Sequence, residues 1–505
     1  MPDENESTAV ADRVQPVTEV ERRYAERLNR YTTAMRNEKP DRVPIRPFVA
    51  EFTGKHTGYN CQQLTHDYEL AFEAARKCAL DYEWDAVVAN MVYVWTGLTQ
   101  AIGLRYYGIP GIDVPADTGF QYREPPEGEA FMRSDEYDEL IKDPTAFLYN
   151  VWLPRVSTAV SPMGEETSYA NNLSFVKGAM AMLKYFGGFG VQNGRLRSEC
   201  GTVSAIAGIL KAPMDIIADK LRGYIGLLDD LREQPEKVLA ACEALAPHLA
   251  KIACTTADPD GNVPVGFWMH RGCVPFVSPD QFTNVYWPTL KPVIQEIWAH
   301  GHQTLFYAEG DWNHHLESFA ELPDRSIVYH VDQADIFEVH RALGDKFCLS
   351  GGISNVLLAF CPAEEVRQRC KEVIEGVARD GGYIMDASAI IQNDAKVENV
   401  RAMTEATLEY GVYSQGSTTP IEIQPIEIQP IEIQGAPKPL PEDARPGHFI
   451  PPTGNGDVPP GACVPWSEQR QRLPDISGDQ AICQRVWEDI DALGNMYIWQ
   501  CLLSF

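Results

Sequence analysis

Basic residues are scarce in this 505-residue chain: 43 Lys and Arg stand against 71 Asp and Glu, for a formal charge of −28. Nucleic acid and anionic membrane both need a basic face, so neither is expected as a partner. The twelve cysteines form no CxxC pair and no regular framework, which argues against a disulfide scaffold or a zinc ribbon. No apolar run approaches the roughly 18 residues that span a bilayer. The N-terminus, MPDENESTAVADR, is polar and acidic where a secretory signal would be basic and then apolar. A cytoplasmic protein with free thiols is the expectation. The glycine-rich GGFGVQNG at Gly187 to Gly194 lacks the Lys-Ser/Thr ending of a phosphate loop and reads as a flexible loop.

What is present is a concentration of polar chemistry. Eight of the eleven histidines lie between His248 and His340, together with Glu309-Gly310-Asp311 and the pair His330 and Asp332. Each candidate follows or ends a short apolar run that reads as a buried strand. Val263 to Met269 precedes His270, Thr304 to Ala308 precedes Glu309, and Ile327 to Val331 contains His330 and leads to Asp332. Phe347 to Leu349 precedes Ser350-Gly351-Gly352, and Tyr383 to Met385 precedes Asp386. Polar groups at the carboxyl ends of successive parallel strands converge on one mouth of a barrel, so an active site spread over several strands is expected.

The chain divides by composition. Residues 1–18 read as a disordered N-terminus, and Glu19 to Lys39 reads as an amphipathic helix ending before Pro40. A first strand at Val43 to Phe48, a helix at Tyr68 to Tyr82 and a second run at Ala86 to Trp95 follow. Helical patterns cover Ser174 to Tyr185, Met214 to Glu233 and Pro235 to Cys254, after which strands and helices alternate to Tyr413. This alternation predicts an α/β fold with a parallel sheet, a (βα)8 TIM barrel over residues 19–413 with N-terminal helical additions, with a doubly wound sheet as the structural rival. Residues 414–465 are a Pro-rich linker in which PIEIQ is written three times, an extended arm rather than a long strand. Residues 466–505 form a docking tail, where Ile482, Val486, Ile490 and Leu493 recur on one face of a helix closed by Gly494. This face and the apolar ending NMYIWQCLLSF are expected to pack on the barrel or on a second subunit.

Three phrases, SPDQFTNVYWPTLKPVIQEIWAHG, LGDKFCLSGGISNVLL with CPAEEV, and VENVRAMTEATLEYGVY, resemble the uroporphyrinogen decarboxylase superfamily. The resemblance is clearest over Ser278 to Tyr413, extends weakly back to Glu19, and omits the PIEIQ linker and the tail. It implies a TIM barrel and two broad activities: porphyrinogen decarboxylation, or methyl exchange with corrinoid proteins by zinc-dependent methyltransferases. The decarboxylase branch has an RQAGRY-like motif after its first strand; here that place reads VAEFTGKHTGY, and only Arg46 is near. An acidic chain without those arginines is a poor host for a polycarboxylate. The coenzyme M branch has a His-x-Cys pair and a later Cys, replaced here by Tyr307 with Glu309 and by the neighbourhood of Asp386.

The remaining resemblance is to the corrinoid-dependent demethylating methyltransferases, including those that act on methoxylated aromatics. Twenty residues lie between Glu309 and His330, a spacing associated with zinc on Glu and His in such enzymes. The resemblance therefore implies a zinc held by Glu309 and His330, with His270 or Cys348 as further ligands and Glu309, Asp332 and Asp386 as the catalytic carboxyls. Cys348 reads more readily as a buried structural thiol than as a soft ligand, and His314, His315 and His340 read as surface or capping residues. Asn90, Tyr93, Trp95 and Tyr107 would line an apolar substrate pocket, although core packing explains aromatic residues nearly as well. No DxHxxG cobalamin motif occurs, so a partner protein would supply the corrinoid. The chain is expected to be a homo-oligomer. The alternatives are a metal-independent decarboxylase-like lyase and a non-catalytic scaffold of a corrinoid complex.

Overall fold

The computed structural model describes residues 18–88, 96–104, 107–126, 128–162, 164–413 and 466–504. Among these described residues ten short strands are formed: β1 (Ala86–Val87), β2 (Tyr107–Gly108), β3 (Gln121–Tyr122), β4 (Val203–Ser204), β5 (Gly208–Lys211), β6 (Val265–Met269), β7 (Thr304–Ala308), β8 (Ile327–Val331), β9 (Cys348–Gly351) and β10 (Tyr383–Ile384). Strands β5 to β10 make one six-stranded parallel sheet in chain order, β1 and β4 make a parallel pair, and β2 and β3 make an antiparallel hairpin. The sheet is extended by backbone pairing beyond its named strands. Ile45 bridges Met385 in parallel, and the amide of Asp85 donates to the Ile45 carbonyl at 3.0 Å. The fold is thus mixed α/β with a parallel sheet.

Alternation along the strands sends side chains to two different cores, as the period of two requires. Phe267, Met269, Phe306, Ala308, Tyr329, Val331 and Leu349 join the outer cluster with the surrounding helices. Leu305, Tyr307, Val328, Cys348 and Ile384 join an inner cluster with Phe48 and Ala205. The helix Glu19–Met35, opened by a capping box between Thr18 and Glu21, sends Tyr31, Ala34 and Met35 into the same inner cluster. It seals the amino ends of the strands: the Tyr31 hydroxyl donates to the Ala205 carbonyl at 2.9 Å and the Gln303 amide to that of Met35 at 3.0 Å. This helix ends at Met35, short of the expected Lys39.

Other expectations need correction. GGFGVQNG is not a loop but lies within the helix Tyr169–Arg195. Tyr185 and Phe189 of that helix pack edge-on against Tyr68 and Phe72, with ring centroids 5.2 to 5.3 Å apart, and this packing outweighs the poor helix propensity of glycine. The helix Pro235–Thr256 is long and apolar enough by composition to cross a membrane, contrary to the sequence reading. Its Val238, Ala241, Leu245, Leu249 and Ile252 are instead buried in the outer core. His315 is buried and stacked on Phe282 at 3.6 Å, not a surface residue.

The C-terminal helix Gln480–Ser504 runs through Gly494 without stopping there. Its second half docks as expected, with Tyr497, Ile498, Trp499, Cys501 and Leu502 buried. Its first half does not, and the stripe Ile482, Val486, Ile490 and Leu493 is exposed. Trp499 stacks on His248 at 4.6 Å and donates its indole N–H to the Thr145 hydroxyl at 3.1 Å. Trp499→Ala is expected to destabilise the protein by about 3–5 kcal/mol, read as a lower denaturant midpoint in equilibrium unfolding. An unchanged midpoint would show that the tail is not an integral part of the fold.

Candidate active site

The register of the parallel sheet aligns Lys211 with Trp268, Trp268 with Tyr307, Tyr307 with His330, and His330 with Ser350. Residues paired across a sheet share a face, so these five point inward together. The residue two positions further on each strand lies on the same face, about 6.6 Å nearer the carboxyl end. That rule places His270, Glu309 and Asp332 in the next layer up, and Cys348 in the layer below.

A cavity of about 740 Å³ lies over this carboxyl end. Its floor includes Lys211, Trp268, His270, Arg271 and Glu309, and its walls come from the β2–β3 hairpin, the helix Tyr169–Arg195 and the C-terminal helix. Tyr107, Phe120, Tyr122, Tyr185, Phe186, Phe189 and Tyr224 bring aromatic rings to its walls. A volume of this size suits a small organic molecule. Of the four residues expected to bind substrate, Tyr107 lines the cavity, while Asn90, Tyr93 and Trp95 lie outside the described residues.

Glu309 follows β7 directly and is half-buried, and its carboxylate accepts the Trp268 indole N–H at 2.8 Å. Trp268 in turn stacks on Tyr307 at 3.9 Å, which fixes the indole and so the carboxylate. Asp332 follows β8 and accepts the Gly310 amide at 2.8 Å. Burial pushes the Asp332 carboxyl up to about 6, against the pull of the Gly310 amide, and the Glu309 charge adds to the rise. Glu309 and Asp332 are therefore neighbouring carboxyls, and Glu309 lines the cavity.

His270 follows β6, and its Nε2 lies 2.6 Å from Asp219 Oδ2. Asp219 also accepts from Lys211 Nζ at 2.6 Å and from Arg271 Nε at 3.2 Å. Burial alone would raise the Asp219 carboxyl, yet His270, Lys211 and Arg271 hold it well below the usual range. The reverse holds for the imidazole: burial would lower it, but the Asp219 carboxylate keeps it above its ordinary value. His270 Nδ1 is buried with no hydrogen-bond partner. Asp219 orients the ring from one side and leaves one N–H uncommitted beside the cavity.

His330 is engaged elsewhere. Its Nε2 lies 2.9 Å from the Ser388 carbonyl and must carry the proton, so Nδ1 accepts from the Ser350 hydroxyl at 2.9 Å. Arg46 Nη2 donates to that same hydroxyl at 2.8 Å. Burial, reinforced by the Arg46 charge, keeps the imidazole well below its ordinary pKa and neutral. Both ring nitrogens are occupied and the ring stacks on Tyr307 at 4.3 Å, so no lone pair is directed at Glu309. Cys348 sits one layer below Ser350 among Leu305, Val328 and Ile384, and burial raises its thiol. The zinc set expected from Glu309, His330, His270 and Cys348 therefore does not fit the donors present. No three His, Cys, Asp or Glu side chains among the described residues converge as a metal would need.

Asp386 belongs to the His330 cluster, not to the cavity. It is fully buried 3.3 Å from Arg46 Nη2, accepts the Phe48 amide at 3.1 Å, and burial pushes it up to about 7 against the pull of Arg46. A carboxyl raised in the folded state favours folding below its unfolded value near 3.9, and that contribution is lost as the pH climbs through the folded value. Asp386→Asn is expected to flatten the decline of stability between about pH 4 and about pH 7, measured by urea unfolding across that window. An unchanged slope would mean that Asp386 titrates normally.

Sequence reasoning missed Asp219, which keeps the His270 imidazole above its ordinary value, and Lys211 and Arg271, which hold the Asp219 carboxyl low. It also missed Glu51, buried after the first strand segment and pushed up to about 7 by burial. The signal for Asp219 was available: Asp215 and Asp219 stand four apart in the otherwise apolar run PMDIIAD. Carboxylates on a buried helical face need partners. Asp215 finds the Arg271 amide at 2.7 Å and the Tyr286 hydroxyl at 3.0 Å.

Residues 193–410 match the family model for uroporphyrinogen decarboxylase (URO-D), and this stretch includes the phrases from Ser278 onward that resemble that family. Among solved structures the chain is similar to a methyltransferase from Methanosarcina mazei, at 16% sequence identity and a TM-score of 0.50, over 76% of this chain and 98% of that one. At that identity the likeness speaks for the fold. No curated protein sequence matches the chain.

Proposed function

We propose that this protein is a methyltransferase built on a (βα)8 barrel, which removes a methyl group from a small methoxylated aromatic donor and passes it to a corrinoid protein. Support for the barrel comes from eight parallel segments, counting the stretch from Val203 to Lys211 as one, and from the pairing of Ile45 with Met385. The name of the Methanosarcina mazei neighbour supports the reaction type. The observation that carries the reading is the meeting of a cavity bearing aromatic rings with an oriented carboxyl, Glu309, and the hydrogen-bonded His270–Asp219 pair.

A methyl ether is a poor substrate because its leaving group is an alkoxide or phenoxide, so a donor aimed at the departing oxygen lowers the barrier. When bound, the reduced corrinoid supplies a Co(I) nucleophile that takes the methyl group. The chain's own residues do the rest. Tyr107, Phe120 and Trp268 hold the aromatic ring, and the His270 imidazolium, oriented by Asp219, delivers its Nδ1 proton to the phenolic oxygen. Glu309, fixed by Trp268, accepts the hydrogen bond of the hydroxyl product, and in the reverse direction the proton returns to His270 Nδ1. The lyase alternative loses support because Arg46 is sealed beneath the cavity against Asp386 and Ser350. The scaffold alternative predicts that turnover survives loss of Glu309.

The test is single-turnover transfer from a panel of methoxybenzenes and methoxybenzoates to Co(I) cobalamin or a purified corrinoid protein. The expected result is decay of the Co(I) spectrum with matching release of the phenol, detected by mass. No transfer from any methyl ether, with carbon dioxide released from a carboxylated analogue instead, would replace the reading with the lyase.

A further inference from the structure

The cavity is richer in basic groups than the chain around it. Of the charged side chains that line it, Lys211, His270 and Arg271 are basic and Asp219 and Glu309 acidic, whereas over the whole chain 71 acidic residues face 43 Lys and Arg. All three basic groups share Asp219: Lys211 Nζ and His270 Nε2 meet one of its oxygens, each at 2.6 Å, and Arg271 Nε meets the other at 3.2 Å. Glu309 accepts the Trp268 indole N–H and makes no ion pair with Lys211 or Arg271 among the described residues. The buried Asp215 has its oxygens on the Arg271 amide and the Tyr286 hydroxyl, not on the Arg271 guanidinium. Three basic groups against two carboxylates leave one positive charge in the lining without a counterpart. Its reach shows at the neighbouring Lys220, whose amine is driven well below its ordinary value by burial and then by the Lys211 charge.

Arg271 is the group built to use that charge. Its Cζ stands 3.5 Å from the Tyr224 ring centroid and 4.9 Å from that of Phe276, and Asp219 anchors its Nε. The edge formed by the two Nη nitrogens has no partner among the described residues. A guanidinium stacked on a ring and tied at one edge loses little freedom on binding, and its other edge presents two N–H groups in the fork that pairs with a planar carboxylate. The Lys211 ammonium gives one hydrogen to Asp219 and has two more to offer. A single uncompensated charge matches a monoanion, while a phosphate dianion would bring more charge than the lining can offset. Arg271 follows His270 in the chain and both grip the same carboxylate, so the anchor and the proton donor keep a fixed spacing.

We propose that Arg271, supported by Lys211, forms an anion subsite that holds a carboxylate on the aromatic donor, so that aryl carboxylates are the preferred substrates and neutral methoxyarenes poor ones. The proposal rests on the donor class assigned above, and its test is binding without turnover. Isothermal titration calorimetry of the full chain with methoxybenzoates and their matching methoxybenzamides is expected to show each acid binding about tenfold or more tightly than its amide, as hydrogen bonds to a charged group allow. Arg271→Gln should bring the acid down to the affinity of the amide, and Arg271→Lys, which keeps the charge and loses the fork, should recover only part of the difference. Equal binding of acid and amide by the wild type, binding of neither, or an acid preference that survives Arg271→Gln overturns the proposal. So does a methoxyphenyl phosphate that binds more tightly than the acid. Transfer assays separate the two readings. An acid that binds as expected but gives up no methyl group overturns the reaction and leaves the subsite, whereas equal kcat/KM for a methoxybenzene and a methoxybenzoate overturns the subsite and leaves the reaction.

Discussion

Glu309→Gln is expected to lower methyl transfer by about 100- to 10,000-fold, the range in which a positioned proton carrier contributes. The amide oxygen of glutamine still accepts the Trp268 indole N–H, so the side chain keeps its place while losing the carboxyl's acid–base capacity. Unfolding should hardly change, because Glu309 lies at the end of β7 beside a cavity and not in either core. The measurement pairs single-turnover loss of Co(I) with a denaturant titration. A variant within a few-fold of wild type would remove Glu309 from the chemistry, and a collapsed unfolding midpoint would assign it to the fold.

Asp219→Asn is expected to have the second largest effect and to move a pH limb. Where the His270 imidazolium is the donor, activity is lost as the pH rises through the His270 pKa, which Asp219 holds above its ordinary value. Without that carboxylate, burial and the Lys211 charge pull the imidazole down, so the alkaline limb of kcat/KM should move to lower pH. At neutral pH the rate should fall by about 100-fold or more. Stability should change with a definite sign as well. The depressed Asp219 contributes above the ordinary carboxylate range and loses that as the pH falls through its folded value, while the raised His270 contributes below 6.5 and loses it as the pH climbs through its own. The pair is therefore worth most between those limits, and the variant should lose stability there. An alkaline limb that stays in place would show that another group supplies the proton.

The strands of the second half were legible almost to the residue: Thr304 to Ala308 and Ile327 to Val331 are the runs read from apolar patterning. Continuous burial on both faces makes such runs stand out. The same alternation could have refined the site. His330 shares a face with Cys348 and Ser350 through the register, which commits it to the interior beneath the cavity. What could not be read was pairing at a distance. His270 owes its charge to Asp219, 51 positions earlier, and Arg46 finds Ser350 across 304. Local chemistry misled in one place: the glycines at Gly187 to Gly194 suggested a loop, whereas aromatic packing on Tyr68 and Phe72 decided for helix.

The pairing of Ile45 with Met385 has a bearing on how the chain is made. These residues are 340 apart, and Tyr31, Ala34 and Met35 join an inner core that is finished only when Ile384 arrives. Ribosomes add about 5–20 residues per second, so the first strand segment waits roughly 20–70 s for its neighbour. During that interval the N-terminal helix has an apolar face and nothing permanent to cover it. Loop-closure entropy grows only slowly with length, so the delay costs little in final stability, but it lengthens the time in which the nascent chain can aggregate. Slow synthesis or a chaperone that covers residues 19–50 should therefore govern the yield of folded protein more strongly than any property of its active site.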